Sequence, residues 1–145
     1  MSWCLKWQRG YTGLFGLIFN RSKLFSDIKL LGKWGERQCE KFLKRKGLKT
    51  LTRNYACKAG EIDLIMVDSD RSIVFVEVKT RADEEFTPTE SVITKSKMDK
   101  MTKTARYFIS TNEIENRPYR FDIVTITLGQ HGPAEFRHYK NAFVR

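Results

Sequence analysis

The segment IVFVEVKTR, Ile73–Arg81, constrains this chain more than any other. Its β-branched and aromatic opening favours an extended strand. Side chains alternate across a strand, so Ile73, Phe75, Glu77, Lys79 and Arg81 share one face and Val74, Val76, Val78 and Thr80 share the other. Both faces begin apolar, which predicts cover on both sides. The charges come only at the end and only on one face. A buried strand that finishes in Glu77 and Lys79 needs a chemical reason.

The preceding segment, EIDLIMV at 61–67, reads as a second strand, with Asp68-Ser69-Asp70-Arg71 as a polar turn. Alternation groups Glu61, Asp63, Ile65 and Val67 against Ile62, Leu64 and Met66. A three- or five-residue loop centred on Asp70 pairs positions whose numbers sum to 140. Asp63 then stands opposite Glu77, on the same face. A four-residue loop would break that match unless a bulge restored it. The same-face arrangement is the expectation here.

Two facing carboxylates repel unless one is protonated or a cation lies between them. Hard oxygen donors suit Mg²⁺ or Mn²⁺. Lys79, two residues beyond Glu77, can offset charge and stabilise a pentacovalent phosphate. The pattern therefore points to metal-assisted phosphodiester hydrolysis. The bland alternative is a solvated Glu-x-Lys ion pair worth under about 1 kcal/mol.

The rest of the chain supplies a frame. Residues 33–46 (KWGERQCEKFLKRK) predict a helix with a stripe of Gly35, Cys39, Phe42 and Leu43 and a stop at Gly47. Glu36 falls on the flank of that stripe, and Glu40 further towards solvent. Strands are predicted over 48–57, 121–128 and, shorter, 135–139. A second helix is predicted from Thr87, with a capping box of Thr87, Pro88 and Glu90 and a buried stripe of Thr94, Met98, Met101, Ala105, Phe108 and Ile109. The order α-β-β-β-α-β gives an α/β fold with a mixed sheet flanked by helices.

A formal net charge of +10 selects polyanionic partners. Lys95, Lys100 and Lys103 on the second helix suit backbone phosphates, as does Arg81 beyond the strand's acid. Lys97 belongs to the same nucleic-acid-binding set; it borders the buried stripe and is the lysine best placed to reach inward towards a phosphate. Residues 1 to about 30 carry Trp3, Trp7, Tyr11, Phe15, Phe19 and Phe25 among basic residues. They read as an extension that packs on the domain, or as an arm for nucleic acid or a membrane surface. The apolar run at 11–19 is too short to span a bilayer, so no stable membrane insertion is expected. Three cysteines without a Cys-x-x-Cys suggest a reducing cytoplasm, and the scarcity of His and Cys argues against structural zinc. The glycines at 10, 13 and 16 lack the Lys-Ser/Thr of a phosphate loop. Asp122 is expected to be structural, paired with Arg120 or a helix end.

Gly-x-x-Gly-Glu at 32–36, Arg53-Asn54-Tyr55, Gly60-Glu61-Ile62-Asp63-Leu64-Ile65, Phe75-Val76-Glu77-Val78-Lys79-Thr80-Arg81, Ser96-Lys97, Arg120-Phe121-Asp122 and Asn141-Ala142-Phe143 follow in order. Together they resemble the YraN-like family of small, largely uncharacterised bacterial proteins, over residues 32–145. That family is similar to the PD-(D/E)xK nuclease superfamily, with the restriction-endonuclease-like fold, and to archaeal Holliday junction resolvases. The resemblance implies a nuclease domain at 32–145 behind an extension at 1–31. It implies Asp63, Glu77, the Val78 carbonyl and Glu36 as metal ligands, with Lys79 as the catalytic lysine. Gly-Glu-Ile-Asp replaces the older Pro-Asp signature but keeps the aspartate. Resolvases cut two strands as dimers, so a homodimer is implied as well.

The leading expectation is thus a divalent-metal-dependent nuclease acting on DNA, on branched or single-stranded forms. The runner-up is a non-catalytic nucleic-acid-binding module that uses the same basic helix. A third class, a membrane- or protein-docking adaptor led by the first 30 residues, would lose its partner when they are deleted.

Overall fold

A computed structural model describes residues 21–82 and 93–144. The first long helix, α1, spans Ile28–Arg45. It starts five residues before the predicted Lys33, because Asp27 caps it: its Oδ1 accepts the N–H groups of Lys29 at 2.9 Å and Leu30 at 3.1 Å. Upstream, residues 21–26 are also helical, and Leu24 and Leu31 are buried with Leu128. Residues 1–20, which carry most of the aromatic extension, lie outside the described residues.

The strands are β1 (Lys49–Cys57), β2 (Gly60–Val67), β3 (Ile73–Arg81), β4 (Tyr119–Thr127) and β5 (Glu135–Phe143). They form one sheet in the order β1-β2-β3-β4-β5. Only the β3–β4 pair is parallel, joined through the second helix α2, Lys95–Thr111. The last strand runs four residues past the predicted Tyr139.

The expected register of the β2–β3 hairpin is found. Val67 pairs with Ile73, Met66 with Val74, Ile65 with Phe75 and Leu64 with Val76, around a five-residue loop. Asp70 organises that loop by accepting the Ser72 N–H at 2.9 Å and its hydroxyl at 2.6 Å.

β3 is covered on both faces, as its composition requires. Val74 and Val76 pack with Cys39 and Leu43 of α1. Ile73 and Phe75 pack with Met101, Ala105 and Phe108 of α2. Full burial of an aromatic such as Phe75 contributes about 2–3 kcal/mol. The helices therefore lie on opposite faces of a mixed sheet.

The second helix corrects one expectation. Thr94 is not part of its buried stripe. Its backbone is extended and its hydroxyl accepts the Lys97 N–H at 3.2 Å, which makes it the N-cap. A helix continuous from Thr87 would need helical dihedrals at Thr94, so the helix that carries the buried stripe starts at Lys95. Thr87, Pro88 and Glu90 lie outside the described residues. Met101, Ala105, Phe108 and Ile109 are buried as expected, and Met98 is half-buried.

Candidate active site

The site begins where the sheet splits. The β2–β3 ladder stops at Leu64 and Val76, one pair short of Asp63 and Glu77. On the other side, β1 pairs Arg53 with Leu64 and Tyr55 with Ile62 but skips the position between them. The residue there is Asn54, with φ of 49°, a left-handed conformation that asparagine tolerates better than most residues. Strict alternation also fails at this point. Ile62 was expected beside Leu64 and Met66, yet it packs with Ile65 and Phe75 on the α2 side. Asp63 sits at the interruption and takes no place in a regular cross-strand pair. Its Oδ2 accepts the backbone N–H of Val78 at 2.7 Å.

Glu77 follows directly in β3 and is only 2% exposed. Lys79 Nζ lies 2.8 Å from its Oε1, and Lys97 Nζ lies 3.0 Å from its Oε2. The second contact is an ion pair without hydrogen-bond alignment, for Oε2 is buried with no hydrogen-bond partner. Asp63 responds to these surroundings. Loss of water and then the charge of Glu77 push its carboxyl up to about 7, against the pull of the Val78 amide and Lys97, with Glu36 adding to the rise. A divalent cation there would engage the oxygen that lacks an aligned hydrogen bond and relieve the suppressed ionisation.

Glu36 reaches the same region from α1. Gly35 lets the helix approach so closely that a Cβ there would fall 1.7 Å from Thr80 Oγ1. This contact fixes Glu36 near the charged end of β3. Its half-buried side chain lines a cleft of about 320 Å³ with Lys33, Arg37, Arg53 and Asn54. The charges of Glu36 and Asp63 both act on Cys39, whose thiol is pushed up chiefly by burial. Among the described residues, however, no three His, Cys, Asp or Glu side chains cluster tightly enough to hold an ion by themselves. Asp63 and Glu77 are the pair brought together, and Mg²⁺ commonly takes one or two carboxylates with waters and phosphate oxygens.

The other acid of α1 departs from expectation. Glu40 was placed towards solvent by the helical wheel, but it is 8% exposed. β1 runs alongside it, and Arg53 and Thr50 close over its carboxylate with bonds of 2.7 Å. The Arg53 guanidinium first, with Lys44 and Thr50, holds Glu40 down to about 2 against the cost of burial. A single-helix projection cannot register a neighbouring strand.

Lys95, Lys100, Lys103 and Arg81 all present exposed side chains. Lys97 does point inward, as its angular position implied. What the sequence did not reveal is its partner, Glu77, or the conformation of Asn54. A wheel gives a direction but not the atom met, and no local signal marks a left-handed residue inside a strand.

Asp122 is the structural carboxylate that was expected. It is fully buried and accepts from Arg120 Nε at 3.0 Å and from the Asn141 N–H at 2.9 Å, and it meets His138 Nε2 at 2.8 Å. Burial raises its pKa, but those partners together hold it below the ordinary value.

A mixed five-stranded sheet with a helix on each face and acids at the end of a central strand is consistent with the restriction-endonuclease-like architecture. The chain belongs to the uncharacterised protein family UPF0102, whose model matches residues 35–126. It is 36% identical over 118 residues to a UPF0102 protein of Pelobacter propionicus, covering 81% of this chain and 84% of that one. It is 43% identical over 112 residues to one from Sulfurihydrogenibium, covering 77% and 92%. A third, from Saccharophagus degradans, is 44% identical over 100 residues, covering 68% and 84%. Among the described residues no helix is long and apolar enough to cross a membrane.

Proposed function

We propose that this chain is a divalent-metal-dependent nuclease of the PD-(D/E)xK superfamily that hydrolyses DNA, with branched and single-stranded forms as its first candidate substrates. One observation carries the reading. A buried Glu77, one oxygen of which has no aligned hydrogen bond, stands beside an Asp63 whose ionisation is held back, with Lys79 and Lys97 paired to the same carboxylate. Such an arrangement costs stability and is explained by the chemistry it permits.

Asp63, Glu77 and the Val78 carbonyl would hold Mg²⁺ or Mn²⁺, with Glu36 as a further donor from α1. When bound, the ion supplies positive charge to the phosphate and lowers the pKa of the attacking water. The side chains do the rest. Burial of Glu77 fixes its direction. Lys79, with 38% of its side chain exposed, can face both that carboxylate and an incoming phosphate oxygen, where negative charge develops. The water loses a proton to solvent as its oxygen bonds to phosphorus, one P–O ester bond breaks, and the departing oxygen takes a proton from solvent. Lys95, Lys100, Lys103 and Arg81 would meet backbone phosphates without reading sequence. Cutting both strands of a branched molecule takes two such sites, so this reading carries a homodimer with it. The free thiols of Cys39 and Cys57 fit a reducing cytoplasm.

The test is a cleavage panel of single-stranded, duplex, flap and four-way-junction DNA with Mg²⁺ or Mn²⁺. Asp63→Ala and Glu77→Ala should each abolish cutting. Cutting that survives in both variants would trace to a contaminant. Salt-sensitive DNA binding without cleavage in any metal would instead favour the non-catalytic binding module.

A further inference from the structure

Of the four lysines in α2, Lys95, Lys100 and Lys103 are exposed while Lys97 is half-buried. Its ammonium ends 3.0 Å from Glu77 Oε2, with 25% of the side chain exposed. Lys79 holds the other oxygen from within β3. Glu77 is thus bracketed by two ammoniums from two different elements. The Lys79 pair follows from strand alternation. The Lys97 pair does not, since it comes from a helix across the crossover. Drawing an ammonium out of water is costly, and water is open to the other lysines of the same helix. Yet the contact lacks hydrogen-bond alignment, so Lys97 is held there by charge.

Charge points the same way. Glu36, Asp63 and Glu77 against Lys79 and Lys97 leave one negative charge in excess. A divalent cation with one phosphodiester brings one positive charge. Over these five side chains, the loaded site is neutral only when Lys97 is counted.

We propose that Lys97 is a second catalytic lysine: it neutralises Glu77 in the metal-free protein, yields that oxygen to a divalent cation, and then contacts a non-bridging oxygen of the scissile phosphodiester. This rests on the nuclease reading above.

The test pairs Mn²⁺ binding with cleavage, using the full chain and the variants Lys97→Met, Lys97→Arg and Lys41→Met. Mn²⁺ titration followed by electron paramagnetic resonance reads the exchange without any reaction. Lys97→Met should bind Mn²⁺ about tenfold more tightly, because a competing charge is gone. The same variant should cut single-stranded or junction DNA about 10²-fold more slowly. Lys97→Arg should lie nearer the wild type in Mn²⁺ affinity, and Lys41→Met, at an exposed lysine of α1, should match the wild type in both measurements. Circular dichroism checks folding, and Lys97→Gln replaces the Met variant if that one fails to fold. Unchanged or weaker Mn²⁺ binding in Lys97→Met overturns the proposal while a cutting wild type keeps the nuclease reading. Tighter binding with undiminished cleavage also overturns it, since the phosphate contact would then be absent. A wild type that binds Mn²⁺ but cuts none of the DNAs refutes the nuclease reading and the phosphate contact with it. In that case tighter binding by Lys97→Met still identifies the competition for Glu77.

Discussion

Gly35 of α1 lies directly against Thr80 of β3, so close that a single added carbon would sit 1.7 Å from the threonine hydroxyl. The contact joins the helix that carries Glu36 to the strand that carries Glu77 and Lys79. An alanine at 35 would be the better helix former by about 1 kcal/mol. Here the clash outweighs that gain. Gly35→Ala should destabilise the protein by about 1–3 kcal/mol in urea unfolding. Adding Thr80→Ala should recover much of the loss, and an unimproved double variant would show that the contact is not the cause.

Asp63 should be a liability to the metal-free fold. Its folded pKa of about 7 lies above its ordinary 3.8, so the folded state binds more protons between those values. Stability from this group is therefore complete below about pH 4 and falls as pH rises towards 7. Asp63→Asn keeps an oxygen for the Val78 N–H and removes the charge. It should stabilise the protein by about 1–3 kcal/mol at pH 8 in the presence of a chelator, and by almost nothing at pH 4. Equal effects at both pH values would contradict the burial of this carboxylate beside Glu77.

Glu40 has the opposite sign. Its pKa is lowered from 4.5 to about 2, so its contribution is present above pH 4.5 and is lost as pH falls towards 2. Because Arg53 and Lys44 are largely exposed, with side-chain exposures of 59% and 48%, their hold is screened. Glu40→Gln should cost about 1 kcal/mol at pH 7 and less at pH 3. Denaturation curves at the two pH values would check this. DNA cleavage at pH 7 should be little changed.

Asp122 ties β4 to β5 through Arg120, His138 and the Asn141 N–H. Replacing it by alanine would leave Arg120 and His138 facing a buried gap at the β4–β5 pair. Asp122→Ala should cost about 3–5 kcal/mol, read as a lower urea midpoint. Arg120→Ala should also destabilise, because Arg120 further ties Asp68 at 2.8 Å. The two losses should be less than additive, since they dismantle one network.

Much of the architecture was legible in the chain. The period-two pattern of Ile73–Arg81 required a strand covered on both faces, and the polar turn at Asp70 fixed the hairpin register. Both are local properties that neighbouring residues settle among themselves. The element order and the inward bias of Lys97 followed in the same way. The start of α2 did not, because a helical pattern read through Thr94 does not register that the backbone there is extended.

What the tertiary structure alone decided concerns atoms from separate elements. Alternation could place Asp63 and Glu77 on one face. It could not foresee that the ladder would stop before them, that Asn54 would interrupt the neighbouring strand, or that Asp63 would take the Val78 amide. A helical wheel sent Glu40 outward, and β1 buried it. The sequence by itself determined which residues could carry charge into the sheet's end. Packing decided which of those charges lost their water, and desolvation is what sets the Glu77–Lys79 pair apart from a solvated Glu-x-Lys pair on a strand.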